Sequence, residues 1–428
     1  MHLSSFFMLI AYKLFTIFLA PLAACFIAYK KRRDPPYGLR ILELLGFYRE
    51  KMDRCIWFHG ASVGEVNSLK PFILEYQKIH PTDKLVITTM TTTGANAAKS
   101  LNNVLVKFAP LDSPLAVGSF FRHFHPETLI IIDTELWPNM FDAAKRHKCP
   151  VMIINGRMQE KNCNKYLKHK KIVKDLISSR ISKVMAISHS DKCRFERIGV
   201  PEEKVIVTGN IKYDLKPREA LFEQARKSKE QLSTACVFGA ISIHEGEEKI
   251  IINAYRKAKQ KLPDLKLVIV PRHQSTVEKT CDYLNSLHIE YEEKSTLRSL
   301  TDIKKDILIG DTMGEIELYF GLCDIVFMGG SFVNVGGHNP LEPAYFSLPI
   351  ITGPDYHNFQ EQFGKLIDAG GCFVAENDDA LSEYLVKLLN DRILLEKTGV
   401  MALDVQQQGR GALLQTLEQV DLMLYKDA

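Results

Sequence analysis

No CxxC pair occurs among the nine cysteines, and the closest two, Cys149 and Cys163, stand fourteen residues apart. A zinc ribbon and a thioredoxin-type dithiol are thereby excluded. An odd, scattered set in a long chain reads as reduced thiols, each a small buried hydrophobe. Neither a Walker A string nor G-x-G-x-x-G is present, so the two commonest phosphate-loop fingerprints are absent. Excess charge is nearly absent as well. A net +4 over 428 residues is too weak to point to nucleic acid. His123-x-His125 is the one candidate pair of metal ligands and reads as surface. Long hydrophobic runs are missing beyond the N-terminus, which excludes a many-span membrane protein. Apolar residues at 46% with charged residues at 25% exclude a disordered chain. The length suggests two or three domains.

The N-terminus is the exception. From Leu3 to Tyr29 the only charged residue is Lys13, and Lys30, Lys31, Arg32 and Arg33 follow at once. A cleaved signal peptide carries its positive charges before the apolar run, not after it. Two other readings stay open. With Lys13 as a defect, the segment reaches the roughly 20 apolar residues that span a bilayer. Alternatively it lies in the membrane interface. Lys and Arg stay on the cytoplasmic side, so both readings place the body of the protein on that face. Residues 1–33 are therefore expected to be a membrane anchor with a basic flank.

The body alternates short β-rich runs with longer helical stretches. The first series is Cys55–His59, Lys84–Thr89, Val104–Ala109, Thr128–Asp133, Val151–Asn155, Val184–Ser188 and Val205–Thr208. Helices are expected at Val66–Ile79 and Asn139–Lys148. The second series is Cys236–Ala240, Leu267–Val270, Asp306–Ile309, Ile325–Met328, Ile350–Thr352 and Cys372–Val374. This is a βαβ pattern with parallel sheets. The charged, helix-like segment Asp214–Ser233 separates the series, giving expected domains of 34–215 and 216–428. Two doubly wound domains facing a cleft bind ligands at the C-terminal ends of their strands.

The polar motifs fall at those ends. His59-Gly60-Ala61-Ser62-Val63-Gly64-Glu65 contains the G-x-S-x-G string of serine hydrolases, but it follows the first strand of the body. Glu65 fits two roles equally: the N3 member of a capping box with Ser62, or a general base for a sugar hydroxyl. Gly64, costing about 1 kcal/mol against Ala within the first turn, suggests a close approach to the backbone. Asp133-Thr134-Glu135-Leu136-Trp137-Pro138-Asn139 ends another strand, with two acids and one of the two tryptophans. Thr208-Gly209-Asn210-Ile211-Lys212-Tyr213-Asp214 offers Lys212 to an anion.

In the second half, Val270-Pro271-Arg272-His273 places an Arg suited to bidentate phosphate contact. Gly310-Asp311-Thr312-Met313-Gly314-Glu315 reads as another capping box, Thr312 with Glu315, whose backbone N–H groups can bind a nucleotide edge or an anion. The longest motif runs from Met328 to Pro343. It is a strand, then a loop holding Ser331, Gly336, Gly337 and His338, then a helix with Asn339 at N-cap, Pro340 at N1 and Glu342 at N3. That helix is expected to aim N–H groups at a phosphate, with Glu342 suited to ribose hydroxyls.

The strings HGASVGE, DTELWPN, GNIKYD, VPRH, GDTMGE and GGSFVNVGGHNPLE, in this order, resemble the 3-deoxy-D-manno-octulosonic acid (Kdo) transferases of lipopolysaccharide synthesis. The resemblance covers essentially the whole chain. It implies the GT-B fold, α/β with two Rossmann-like domains, an acceptor domain first and a nucleotide-sugar domain second, and C-terminal helices crossing back. It implies CMP-Kdo as donor, a lipid A precursor as acceptor, transfer with inversion, no metal or other cofactor, no nucleic-acid partner, and a place on the cytoplasmic face of the inner membrane. The family's base falls on Glu65, and its transition-state residues on Glu135 and Lys212. Its CMP contacts fall on Pro271, Arg272, Met313, Gly314, Glu315, Asn339, Pro340, Leu341 and Glu342. Ser331, Gly336, Gly337 and His338 are further donor-loop candidates. A GT-B enzyme using a UDP-sugar and a serine hydrolase acting through Ser62 are the competing readings.

Overall fold

The computed structural model describes residues 3–30, 40–214, 217–232 and 236–425. The expected basic flank Lys31–Arg33 and the ends of the expected Asp214–Ser233 helix (Leu215, Lys216, Ser233) lie outside the described residues. The chain divides into two units, Met1–Asp214 with Arg410–Ala428, and Leu215–Gly409.

The first unit holds a seven-stranded parallel sheet: β1 (Cys55–His59), β2 (Leu85–Thr89), β3 (Val104–Phe108), β4 (Pro126–Ile132), β5 (Val151–Gly156), β6 (Lys183–Ala186) and β7 (Val205–Val207). Their order is β3-β2-β1-β4-β5-β6-β7. All five residues of β1 and all of β5 are buried, as parallel strands covered on both faces require. Ser62, Thr91, Ser113 and Ser188 each end a strand-to-helix connection, and each side chain accepts a backbone N–H of the following helix. These caps explain why the helices start where they do. The helix after β1 begins at Val63, three residues earlier than expected.

The order reverses between β1 and β4, which pair directly, His59 against Ile131. Their C-terminal ends therefore diverge into connections on opposite sides, and this leaves the crevice of a topological switch point. The final helix, Ala412–Leu424, also belongs to the first unit. This differs from a second domain running to residue 428. Leu413, Leu417 and Val420 pack in the cluster of Phe72, Ile73 and Tyr76. The Asp214 carboxylate accepts the N–H groups of Gly411 and Leu413, both at 2.7 Å.

The N-terminal helix, Leu3–Lys30, lies along the first unit. Leu9, Thr16, Ala20 and Ala24 are buried. Tyr12 donates to Asp112 at 2.8 Å, Lys13 pairs with Asp142 at 2.6 Å, and Asn139 donates to Thr16 at 3.0 Å. Phe7, Phe15, Phe18, Leu22 and Phe26 form the opposite face, each more than 60% exposed. Residues Phe7–Lys30 are long and apolar enough to cross a membrane.

The second unit holds β8 (Val237–Ile243), β9 (Lys266–Pro271), β10 (Glu292–Glu293), β11 (Ile307–Ile309), β12 (Ile325–Met328), β13 (Ile350–Thr352) and β14 (Cys372–Val374). The order is β10-β11-β9-β8-β12-β13-β14, again all parallel. Here the switch lies between β8 and β12.

Candidate functional site

In the first unit the motif residues gather at the switch point. β1 delivers Gly60-Ala61 and the cap Ser62, whose Oγ accepts the Glu65 N–H at 3.3 Å. A capping box would return the Glu65 carboxylate to the Ser62 N–H. It reaches one residue further instead, accepting the Ala61 N–H at 2.5 Å and the Ser62 hydroxyl at 3.1 Å. Ser62 is thus occupied as a cap with Glu65 as its partner. A Cβ on Gly64 would meet only Ser62 Oγ, at 3.8 Å, so the first turn offers open space.

β4 delivers Asp133, with φ +62°, and then Glu135, whose carboxylate accepts the Trp137 indole N–H at 2.9 Å. Lys212 sits in the short turn Ile211–Tyr213 after β7. Burial raises the pKa of Glu65, and the charges of Asp133 and Glu135 raise it further against the Ala61 N–H. Burial also raises Asp133, opposed by Lys212, Asn155 and Arg157. Glu135 is raised by burial, opposed by Trp137. Glu65, Glu135 and Lys212 therefore share one electrostatic neighbourhood centred on Asp133. Proximity of like charges in a partly dry site holds a carboxylate nearer to working pH.

In the second unit the donor candidates also stand at strand ends. Pro271 closes β9, and Arg272, exposed, donates its backbone N–H to Ile243 at 2.9 Å. Burial lowers the pKa values of His244 and His338 and raises that of Glu342, and the Arg272 charge acts on all three in the lowering direction, placing these four side chains together. His244 and His338 share a 2.8 Å contact between their Nε2 atoms, so one donates to the other. Burial, with His244, Arg272 and His273, brings His338 to about 4, and burial with His273 and Arg272 lowers His244 as well. Met313 and Gly314 are exposed, the latter at φ +82°.

Three details depart from the sequence reading. Thr312 does not cap a helix: its hydroxyl donates to the Glu315 carboxylate at 2.9 Å, and the helix Ile316–Leu322 starts after Glu315. Asn339 accepts the Leu341 N–H at 3.2 Å and donates to Glu342 at 3.3 Å, but the helix is only Leu341–Tyr345 and Pro340, not Asn339, stands at its N-cap. Five residues sum to a small dipole, so an anion there depends on individual N–H groups and on Arg272. Ser331 is fully buried, its hydroxyl donating to Met328 at 2.7 Å and accepting the Gly353 N–H at 2.8 Å. It braces the loop from behind. Gly336 and Gly337 take φ +93° and +75°, and a Cβ on Gly336 would lie 2.6 Å from the His357 ring.

Two residues that the sequence reading did not single out organise the strand ends, one in each unit. Glu247, fully buried, accepts the N–H groups of His244, Gly330, Ser331 and Phe332 at 2.7–2.9 Å. Each charge-assisted bond is worth about 1.5–3 kcal/mol, so this carboxylate pins the Gly-rich loop to the end of β8. Asn155 joins the ends of β4 and β7. The acidic first turn after Gly246 was the only signal for Glu247, and Asn155 had none. Among the described residues no three His, Cys, Asp or Glu side chains are grouped to hold a metal.

Comparison with known proteins follows the same division. A family model described as 3-deoxy-D-manno-octulosonic-acid transferase (kdotransferase) matches residues 40–215. One described as glycosyl transferases group 1 matches residues 218–402. The 3-deoxy-D-manno-octulosonic acid transferase of Haemophilus influenzae is 34% identical over 409 residues, covering 93% of this chain and 94% of that protein. That of Rickettsia felis is 30% identical over 343 residues, 80% and 73% of the two chains. The crystal structure of a glycosyltransferase from Rickettsia africae has a TM-score of 0.55 at 14% identity, covering 89% of this chain and 100% of that one, and shares the fold, which is GT-B. With the strand-end carboxylates and cation in one unit and the arginine and Gly-rich loop in the other, the chain belongs to the 3-deoxy-D-manno-octulosonic acid transferase family, glycosyltransferases that transfer Kdo.

Proposed function

We propose that the chain transfers Kdo from CMP-Kdo to a lipid A precursor, a tetraacyldisaccharide 4'-phosphate, with inversion and release of CMP. The observation that carries this reading is Glu65: a half-buried carboxylate at the switch point, lifted above its ordinary range by burial and by Asp133 and Glu135. A carboxylate raised in this way is a better proton acceptor than an ordinary one. As the acceptor hydroxyl oxygen bonds to the anomeric carbon, its proton passes to Glu65. The bond from that carbon to the phosphate breaks, and its electron pair leaves on CMP. One displacement inverts the centre and requires no covalent intermediate.

Lys212 and Glu135 steady the charge that develops at the sugar. Arg272 takes the phosphate as a bidentate partner. Glu342 takes ribose hydroxyls, and Pro271, Met313, Gly314, Glu315 and the Asn339–Leu341 backbone take the nucleotide. His338, Gly336 and Gly337 border the donor. Cationic side chains and N–H groups that meet the leaving group supply the stabilisation that a metal ion supplies elsewhere. The outward face of the N-terminal helix enters the cytoplasmic leaflet of the inner membrane. The helix lies in the plane of the interface, because Tyr12, Lys13 and Thr16 hold its other face on the first unit. A lipid acceptor then reaches the enzyme within the membrane.

The test is mass spectrometry of the tetraacylated precursor after incubation with purified protein and CMP-Kdo. A gain of Kdo mass is expected, with none for Glu65→Gln at nearly unchanged CMP affinity. Near-normal turnover by Glu65→Gln sinks Glu65 as base. A gain seen only with a UDP-sugar sinks the donor.

A further inference from the structure

We infer that Asn155 is a positioning residue for the transfer reaction, a latch that holds the Glu135 loop and the Lys212 turn in register. The inference rests on the catalytic reading of Glu135 and Lys212 given above.

Asn155 is 2% exposed and stands at the end of β5, in the seam between β4 and β6. Its Nδ2 donates to Asp133 Oδ1 at 3.0 Å. Its Oδ1 accepts the Ile211 N–H at 3.0 Å. The first bond fixes the residue that opens the loop to Glu135. The second fixes the turn whose next residue is Lys212, itself tied by the Asn210 side chain at 3.0 Å. A primary amide donates to a carboxylate through its NH2 and accepts a backbone N–H through its separate carbonyl oxygen, so one side chain reaches both loops.

The backbone is shaped for the same end. Asn155 has φ +52° and Asp133 φ +62°, a region that non-glycine residues visit sparingly and Asn and Asp tolerate best. The β5–β6 register slips between Ile153 and Gly156, and such bulges re-aim side chains beside active sites. Both strained residues point their side chains at each other. Local strain is retained here in order to join two loops that come from positions 22 and 56 residues away in sequence.

Three variants and two readouts separate positioning from mere folding. Asn155→Gly keeps the left-handed backbone at no steric cost and deletes both bonds. Asn155→Asp keeps the acceptor for Ile211 and sets a carboxylate against Asp133. Asn155→Asp with Asp133→Asn exchanges donor and acceptor and restores both bonds. We expect kcat to fall about 10- to 100-fold in both single variants, the scale of a misplacement near 1 Å, with smaller change in the KM for CMP-Kdo. The double variant should recover most of the loss relative to Asn155→Asp. Hydrogen exchange across residues 209–213 should accelerate in Asn155→Gly and return towards wild type in the exchanged pair. A folded Asn155→Gly protein with kcat within twofold of wild type overturns the inference, as does unchanged exchange at 209–213. If the wild-type protein itself transfers no Kdo, the transferase reading fails, and the exchange data alone decide whether the latch exists.

Discussion

Glu342 offers the sharpest quantitative test. It lies in the short helix after the Gly-rich loop, and burial lifts its carboxyl from 4.5 to about 7. The Asn339 N–H and Arg272 pull it back down, and Glu317 pushes it up. The perturbation is Glu342→Gln. A folded-state pKa raised above its unfolded value favours the folded protein at low pH. That contribution is fully present below 4.5 and is lost as pH rises through about 7. At 1.36 kcal/mol per unit, the shift amounts to about 3 kcal/mol. The side chain is half-buried by area and keeps some water, so this figure is a ceiling. Urea unfolding of both proteins at intervals from pH 4.5 to 8.5 measures it. The wild type should lose 1–3 kcal/mol relative to the variant across that window, and the difference curve should flatten above pH 8. Titrations elsewhere in the chain cancel in the difference. Parallel curves would refute the reasoning and show Glu342 to be ionised and solvated throughout.

Three further outcomes are expected. The acid limb of kcat/KM should lie above 4.5, because Glu65 must be ionised to act and its carboxyl is raised; Glu135→Gln should move it down, and a limb at or below 4.5 removes Glu65 from the proton transfer. Gly64→Ala meets no protein atom closer than 3.8 Å, so it should leave stability unchanged or raise it by up to about 1 kcal/mol while weakening acceptor use; unchanged steady-state kinetics would show that nothing approaches this turn. Asp214→Ala uncovers the N–H groups of Gly411 and Leu413 and should cost about 2 kcal/mol, read as a lower urea midpoint and faster proteolysis near residue 410.

The strands of both units were legible because parallel strands buried on two faces are written as short apolar runs. Leu129-Ile130-Ile131-Ile132 could be little else. β10 escaped because Glu292-Glu293 is a two-residue edge with no apolar signature. β8 was cut short at Ala240 since its outer half, Ile241-Ser242-Ile243, contains a serine at φ +57°. The Ser62 cap was legible from its spacing to Glu65, although the helix itself was expected three residues late. The same kind of signal misled at Thr312 and Asn339, because a side chain that can cap can as readily bond a neighbouring carboxylate. Glu65 was visible as a residue of interest. It makes cap-like bonds, and it also stands among two further carboxylates. Glu247 and Asn155 were not legible, since their partners lie 83–85 and 22–56 residues away, and only the folded chain brings these together.

The docking of the N-terminal helix bears on how the protein can be handled. Deleting residues 3–30 does more than remove an exposed apolar row. Asp112 loses the Tyr12 hydroxyl, Asn139 loses the Thr16 hydroxyl, and Asp142 loses the Lys13 ammonium. The apolar surface beneath Leu9, Ala20 and Ala24 becomes wet. A truncated chain prepared for solubility therefore exchanges one sticky face for another and begins life with its first unit weakened. The helix is a component of the domain whatever its outward face meets, and a detergent chosen to cover the row from Phe7 to Phe26 preserves what a shorter chain gives away.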